Sequence, residues 1–111
     1  TQLRVFHAPE HAHRHWSGIR KIIEQGEFSS RAKELALAIF ERIAIAEAKV
    51  HGTTVDQVHF HEVGAIDSIA DIVGVAVAWE SLDIEAAYAS QVPLGCGQIR
   101  IAHGLVSLPA P

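Results

Sequence analysis

Residues 66–82, IDSIADIVGVAVAWESL, limit the possible folds of this chain more than any other stretch. Ile69, Ile72, Val73, Ala76 and Val77 recur at helical spacing, and Val75, Ala78 and Trp79 make the remaining side apolar too. A helix that is apolar almost all round is expected to be buried on most sides. It therefore calls for other elements layered around it. The 111 residues are enough for one domain with a true core. Leading into this helix is HFHEVGAIDSIAD, in which His59, His61, Glu62, Asp67 and Asp71 fall within thirteen residues. A greasy helix entered through five groups of metal-ligand type is the feature that the other segments have to support.

The polar groups can be placed by local geometry. Val58 and Phe60 alternate with His59 and His61, which is strand periodicity, so the two imidazoles share a face about 7 Å apart. Gly64 is expected to break the strand. Glu62 points the other way on a regular strand and joins the imidazoles only if the chain bends there. Asp67 is expected to cap the following helix, with Ser68 as the other candidate, and the helix runs to about Leu82. Asp71 rises on the same side as Asp67, at a Cβ separation of about 5–6 Å. A carboxylate in the first turn of a buried helix is costly without a partner.

The other elements follow from stripes and caps. TQLRVF at the start alternates loosely, as a strand or strand remnant would. Ser17 is placed to cap a short helix over 18–25, with Ile19, Ile22 and Ile23 as its stripe and Gly26 at its end. Ser29 or Ser30 caps a helix reaching His51, with Gly52 closing it. Its apolar face reads as Ala32, Ala36, Ile39, Phe40, Ile43, Ala46 and Val50. Thr54 and Gln57 match a capping box for one turn. Tyr88 to Val92, Gln98 to Ala102 and Leu105 to Leu108 read as short strands. The expected fold is α/β, in the layered α+β sense. A small sheet of three or four short strands is packed by about three helices, in a single domain over residues 1–111. The chain lacks an initiator Met and ends in LPAP, which suggests a piece of a longer polypeptide.

Charge narrows the function. Residues 1–52 carry eight Lys/Arg and six Asp/Glu, whereas residues 53–111 carry only Arg100 against seven acids. An acidic half that contains His suits cations, and the clustered basic residues of a nucleic-acid binder are missing. Charges interrupt every apolar run of membrane length, and a lone Cys96 makes no internal disulfide, so a cytoplasmic protein is expected. Imidazole with carboxylate suits borderline ions such as nickel, zinc, manganese or cobalt. Secondary candidates are His11, His13 and His15, which share a face if that arm is extended, together with His103 and Cys96. The plainer alternative is that Asp67 caps, Asp71 answers the helix dipole, and the imidazoles merely hydrogen-bond in a wet groove. Nucleophilic catalysis has less support, because neither Ser68 nor Cys96 stands in an activating context. GCG at 95–97 is too short for a phosphate loop.

VHFHEVGAIDSIADIVG (58–74) and PLGCGQIRIAHGLVSLPAP (93–111), with HRHWSGIRKIIE and AEAKVHG before them, closely resemble the nickel-insertion protein family of the lactate racemase cofactor pathway. The resemblance covers nearly the whole chain. It implies insertion of nickel into a pyridinium-3,5-bisthiocarboxylic acid mononucleotide, where two sulfurs and a ring carbon hold the metal. In the family this reaction uses CTP with manganese or magnesium, bound by a C-terminal domain. This chain would then be part of the N-terminal domain, in a homo-oligomeric assembly of the longer protein. Ligand chemistry, rather than the resemblance, selects His59, His61, Glu62, Asp67 and Asp71 as the set that holds metal. Two other readings stay open: a non-catalytic nickel store built on the His11/His13/His15 arm, and an oligomerisation or scaffold piece using the acidic half.

Overall fold

The computed structural model describes residues 5–6, 14–60, 63–93, 95–101 and 104–108. Strand β1 (Arg14–His15) leads directly into helix α1 (Trp16–Gln25), which is followed by the long helix α2 (Ser30–His51). A single 3₁₀ turn (Val55–Gln57) precedes strand β2 (His59–Phe60) and helix α3 (Ile66–Ser81). Strands β3 (Gly97–Ile101) and β4 (Gly104–Leu108) complete the described elements. The α+β class stands, with three helices and four short strands. The strands form two separate antiparallel pairs, β1 with β2 and β3 with β4.

The core lies where α1, α2 and β2 meet. Trp16, Ile19 and Ile23 from α1 close on Ala32, Ala36, Phe40, Ala44 and Ala48 from α2. Val58 and Phe60 enter from the β2 side, and Ile69 and Ala76 from α3. The alanines let neighbouring backbones approach, and the aromatic rings fill what remains. Phe40 sits between Trp16 and Phe60, with ring centroids 6.3 Å away on each side, within the range of favourable aromatic pairs. Its side chain is fully buried.

Helix α2 has the limits its sequence suggests. The Ser29 Oγ accepts from the Ala32 amide at 3.1 Å, a regular N-cap. Gly52 takes the left-handed conformation at φ 63°, and the Gly52 and Thr53 amides both reach the Ala48 carbonyl. Ser29 also donates from its hydroxyl to Glu80 Oε2, which joins the start of α2 to the end of α3.

Several expectations are corrected. The buried face of α2 is Ala32–Ala36–Phe40–Ala44–Ala48, while Ala46 and Val50 are exposed. The contact follows one straight row of residues four apart, where the stripe had assumed drift at 3.6 residues per turn. Helix α1 begins at Trp16 with His15 as its N-cap, so Ser17 is already inside it. Helix α3 begins at Ile66 with Ala65 as its N-cap. Asp67 is therefore in the first turn, and its Oδ1 accepts from the neighbouring Ser68 amide at 2.8 Å. Thr54 precedes the 3₁₀ turn without a side-chain cap bond. Only Ile69 and Ala76 of α3 are buried, and Val75 is 54% exposed, so the helix is covered mainly by α2 on one side. Asp71 is exposed accordingly and bears no burial cost. Tyr88 to Val92 has no regular structure, and Tyr88 is 96% exposed, because no described strand pairs with that stretch. No helix among the described residues is long and apolar enough to cross a membrane.

The turn after β2 shows why Gly64 is needed. A Cβ built there would lie 2.9 Å from the Phe60 carbonyl oxygen and 3.0 Å from Phe60 Cβ. Arg14 Nη1 donates to the Gly64 carbonyl at 2.7 Å and ties this turn to β1. Gly64→Ala is expected to destabilise the fold by about 1–3 kcal/mol, because the clash is with backbone that cannot swing aside. A urea titration would show this as a lower midpoint, and an unchanged midpoint would mean the turn has slack.

Candidate functional site

His59 lies on the outer face of β2, while the next residue, Phe60, turns into the core. Across the ladder the same arrangement holds in mirror image. His15 is exposed, and the next residue, Trp16, is buried as the first residue of α1. The register pairs His15 directly with His59 and Arg14 with Phe60. The two imidazoles consequently meet, with ring centroids 3.7 Å apart and planes inclined at 47°. Each ring is one residue from an aromatic anchor of the Trp16–Phe40–Phe60 stack. The Trp16 amide donates to the Val58 carbonyl at 3.4 Å, which adds a further tie between the two strands.

Two neighbouring imidazoles are a chemically suitable pair of donors for a borderline ion. Imidazole nitrogens bind nickel, zinc or copper in their neutral form. Imidazole nitrogen sits about 2.0–2.1 Å from zinc, a useful guide to ligand reach. Rings 3.7 Å apart are closer than two imidazoles that share one ion, so binding would require them to part and turn one nitrogen each toward it. Cross-strand neighbours have Cβ atoms about 4.5–5.5 Å apart, so both side chains start from a suitable separation.

Beside the pair lies a surface hollow of about 240 Å³, lined by His51, Thr53, Gln57, Val58 and His59. His51 belongs to the last turn of α2, and its Nε2 is 3.1 Å from Glu47 Oε2, one helical turn back. The Thr53 hydroxyl donates to Gln57 Oε1 at 3.4 Å. Gly52, left-handed, ends α2 at this point, and His51 and Thr53 share the hollow with Val58 and His59.

The expected ligands are only partly brought together. His59 is at the site, and it is joined by His15 from the N-terminal arm. Asp67 and Asp71 are exposed on α3, and Cys96 is an exposed free thiol. His61, Glu62, His11, His13 and His103 lie outside the described residues. Among the described residues, no group of three or more His, Cys, Asp or Glu side chains is close enough to hold a metal ion. Sequence reasoning missed His51, Thr53 and Gln57 as parts of a hollow. The available signal was the helix-ending His51–Gly52 pair just before the HFHE tract.

Comparison with known proteins agrees with this picture. The family model described as nickel insertion protein matches residues 1–111. A pyridinium-3,5-bisthiocarboxylic acid mononucleotide nickel insertion protein of Geobacillus kaustophilus is 51% identical over 105 residues, covering 95% of this chain and 26% of that protein. A protein of the same name in Desulfitobacterium hafniense is 47% identical over 111 residues, covering 100% of this chain and 28% of that protein. A relative in Geobacter sp. (strain M21), also named for nickel insertion, is 56% identical over 99 residues, covering 89% of this chain and 26% of its own length. The chain thus spans about a quarter of the length of the curated relatives it matches. No solved structure matches it. With the family matched from end to end, the chain belongs to the nickel insertion protein family.

Proposed function

We propose that this chain receives nickel as cargo for insertion into a pyridinium-3,5-bisthiocarboxylic acid mononucleotide, and that His15 and His59 are its first holding point. The contact between the two rings carries this reading. Two exposed imidazoles held together by a ladder with buried aromatic anchors are a preformed half of a nitrogen-donor site. His61 and Glu62 follow His59 in sequence and are proposed to complete the coordination, with Asp67 and Asp71 as carboxylates at the adjoining helix start. In the insertion step the ion passes to two thiocarboxylate sulfurs, and the ring carbon that takes it loses its proton. The product on this reading is the nickel-pincer cofactor of lactate racemase, and the activity is that of a nickel chelatase, a lyase. CTP hydrolysis with manganese or magnesium is assigned to the C-terminal domain of the longer family polypeptide, acting as a cytoplasmic homo-oligomer.

The pairing also changes the nickel-store reading, because it places one member of the His11/His13/His15 arm on the HFHE tract. On this reading His15 and His59 belong to one site. The test is a chelator-competed nickel titration of the wild type, His15→Ala, His59→Ala and His61→Ala. Loss of affinity in His15→Ala and His59→Ala supports the reading. Binding equal to wild type in both would rule it out.

A further inference from the structure

We infer that Arg14 is a positioning residue: its bond to the Gly64 carbonyl holds β1 on β2 and so keeps His15 facing His59. This rests on the nickel-holding reading and adds to it a group that serves the site without touching the ion.

The ladder needs such help. Strands β1 and β2 are each two residues long. A strand pair this short is marginal in water unless something else holds it. The Trp16 amide adds a bond to the Val58 carbonyl, but at 3.4 Å it is long. Arg14 Nη1 reaches the Gly64 carbonyl at 2.7 Å, across 50 positions of sequence. A charged donor at this distance makes one of the stronger kinds of hydrogen bond. Gly64 is buried, so its carbonyl is costly to leave without a partner.

Placement keeps this bond apart from the donors. Successive strand residues face opposite ways. The register puts Arg14 opposite Phe60 on one face of the ladder, and His15 opposite His59 on the other. The guanidinium therefore fastens the ladder from behind the imidazoles. The glycine completes the fit. A Cβ built on Gly64 would lie 3.4 Å from the Arg14 backbone nitrogen, so β1 lies directly against this turn. The turn after β2 is thus gripped, by backbone and side chain together, through the residue next to His15.

The test compares the wild type with two variants. Arg14→Met keeps the apolar stem and removes the donors, and Arg14→Lys restores a charged donor. Two readouts are taken on the metal-free chain by NMR: the NOE between the His15 and His59 rings, and hydrogen exchange of the Trp16 amide. Trp16 is the first residue of α1, so its amide has no acceptor within the helix, and its protection reports the bond to Val58. In Arg14→Met the NOE is expected to vanish. The Trp16 amide should exchange at least about tenfold faster, the factor for a lost hydrogen bond to a charged group. The Phe40 amide, in the middle of α2, should keep its wild-type exchange. Nickel affinity, by chelator competition, should fall about tenfold, because binding then has to close the ladder first. Arg14→Lys should recover most of each loss.

An intact NOE and a protected Trp16 amide in Arg14→Met overturn the inference. So does equal acceleration at Trp16 and Phe40, which would make Arg14 a support of the whole fold, or a lysine variant no better than the methionine one. If the ladder opens but nickel binds at wild-type strength, Arg14 still positions His15 and it is the holding point that is wrong.

Discussion

Phe40→Ala is expected to lower the free energy of unfolding by about 3–5 kcal/mol, the usual cost of removing a buried aromatic ring. Phe40 is fully buried between Trp16 and Phe60. Its removal leaves a cavity between α1, α2 and β2, and the small neighbours Ala36 and Ala44 cannot close it. Domains of this kind have total stabilities of about 5–15 kcal/mol, so a loss of this size takes a large share. Urea unfolding followed by tryptophan fluorescence would measure it, since Trp16 stacks on the missing ring. The effect should also reach the surface. His15 and His59 are each one residue from an aromatic group that Phe40 braces, so nickel affinity should fall together with stability. A loss below about 1 kcal/mol, the typical value for any substitution, would show that the aromatic stack is not what holds the sheet to the helices.

The second large effect is on the imidazoles themselves. Removing a mere outer-shell partner of a metal site costs about 10–100-fold in affinity, so deleting a direct ligand should cost at least as much. His15→Ala and His59→Ala are each expected to weaken nickel binding by that factor or more. Both residues are exposed, and neither contributes to the core, so the fold should be retained. The double variant is the sharper measurement. If both rings hold one ion, the first deletion already removes the chelate, and the second adds much less than its single effect. If each ring holds a separate ion, the two losses add. Strict additivity would refute the shared site, even if both single variants bind weakly.

The sequence revealed elements better than their faces. Helix α2 was legible from Ser29 to Gly52 because both ends carry residues with a local reason to be there. β3 was legible from the alternation of Gln98 to Ala102, and β4 from the short apolar stretch Leu105 to Leu108. The buried row of α2 was legible only through Ala32, Ala36 and Phe40, because alanine at 44 and 48 looks the same as alanine at 46 until α1 and α3 choose a side. The start of α3 was misplaced by two residues because Asp67 is a good cap type, yet here its carboxylate bonds the next amide from within the helix. For the site, His59 stood out by its company, and His15 only as one of three in an arm. Their contact depends on a ladder between distant segments, and no spacing rule specifies that partner.

Among the described residues the ladder that joins the two rings is two residue pairs long. A site carved into one stiff helix would have to break that helix in order to open. Here, parting the described rungs would separate the two rings without unpacking the buried aromatic side chains beneath them. Short fasteners of this kind undo at small energetic cost compared with unfolding the whole chain. On the proposed reading, that is what would let the chain hold its ion at rest and release it without unfolding.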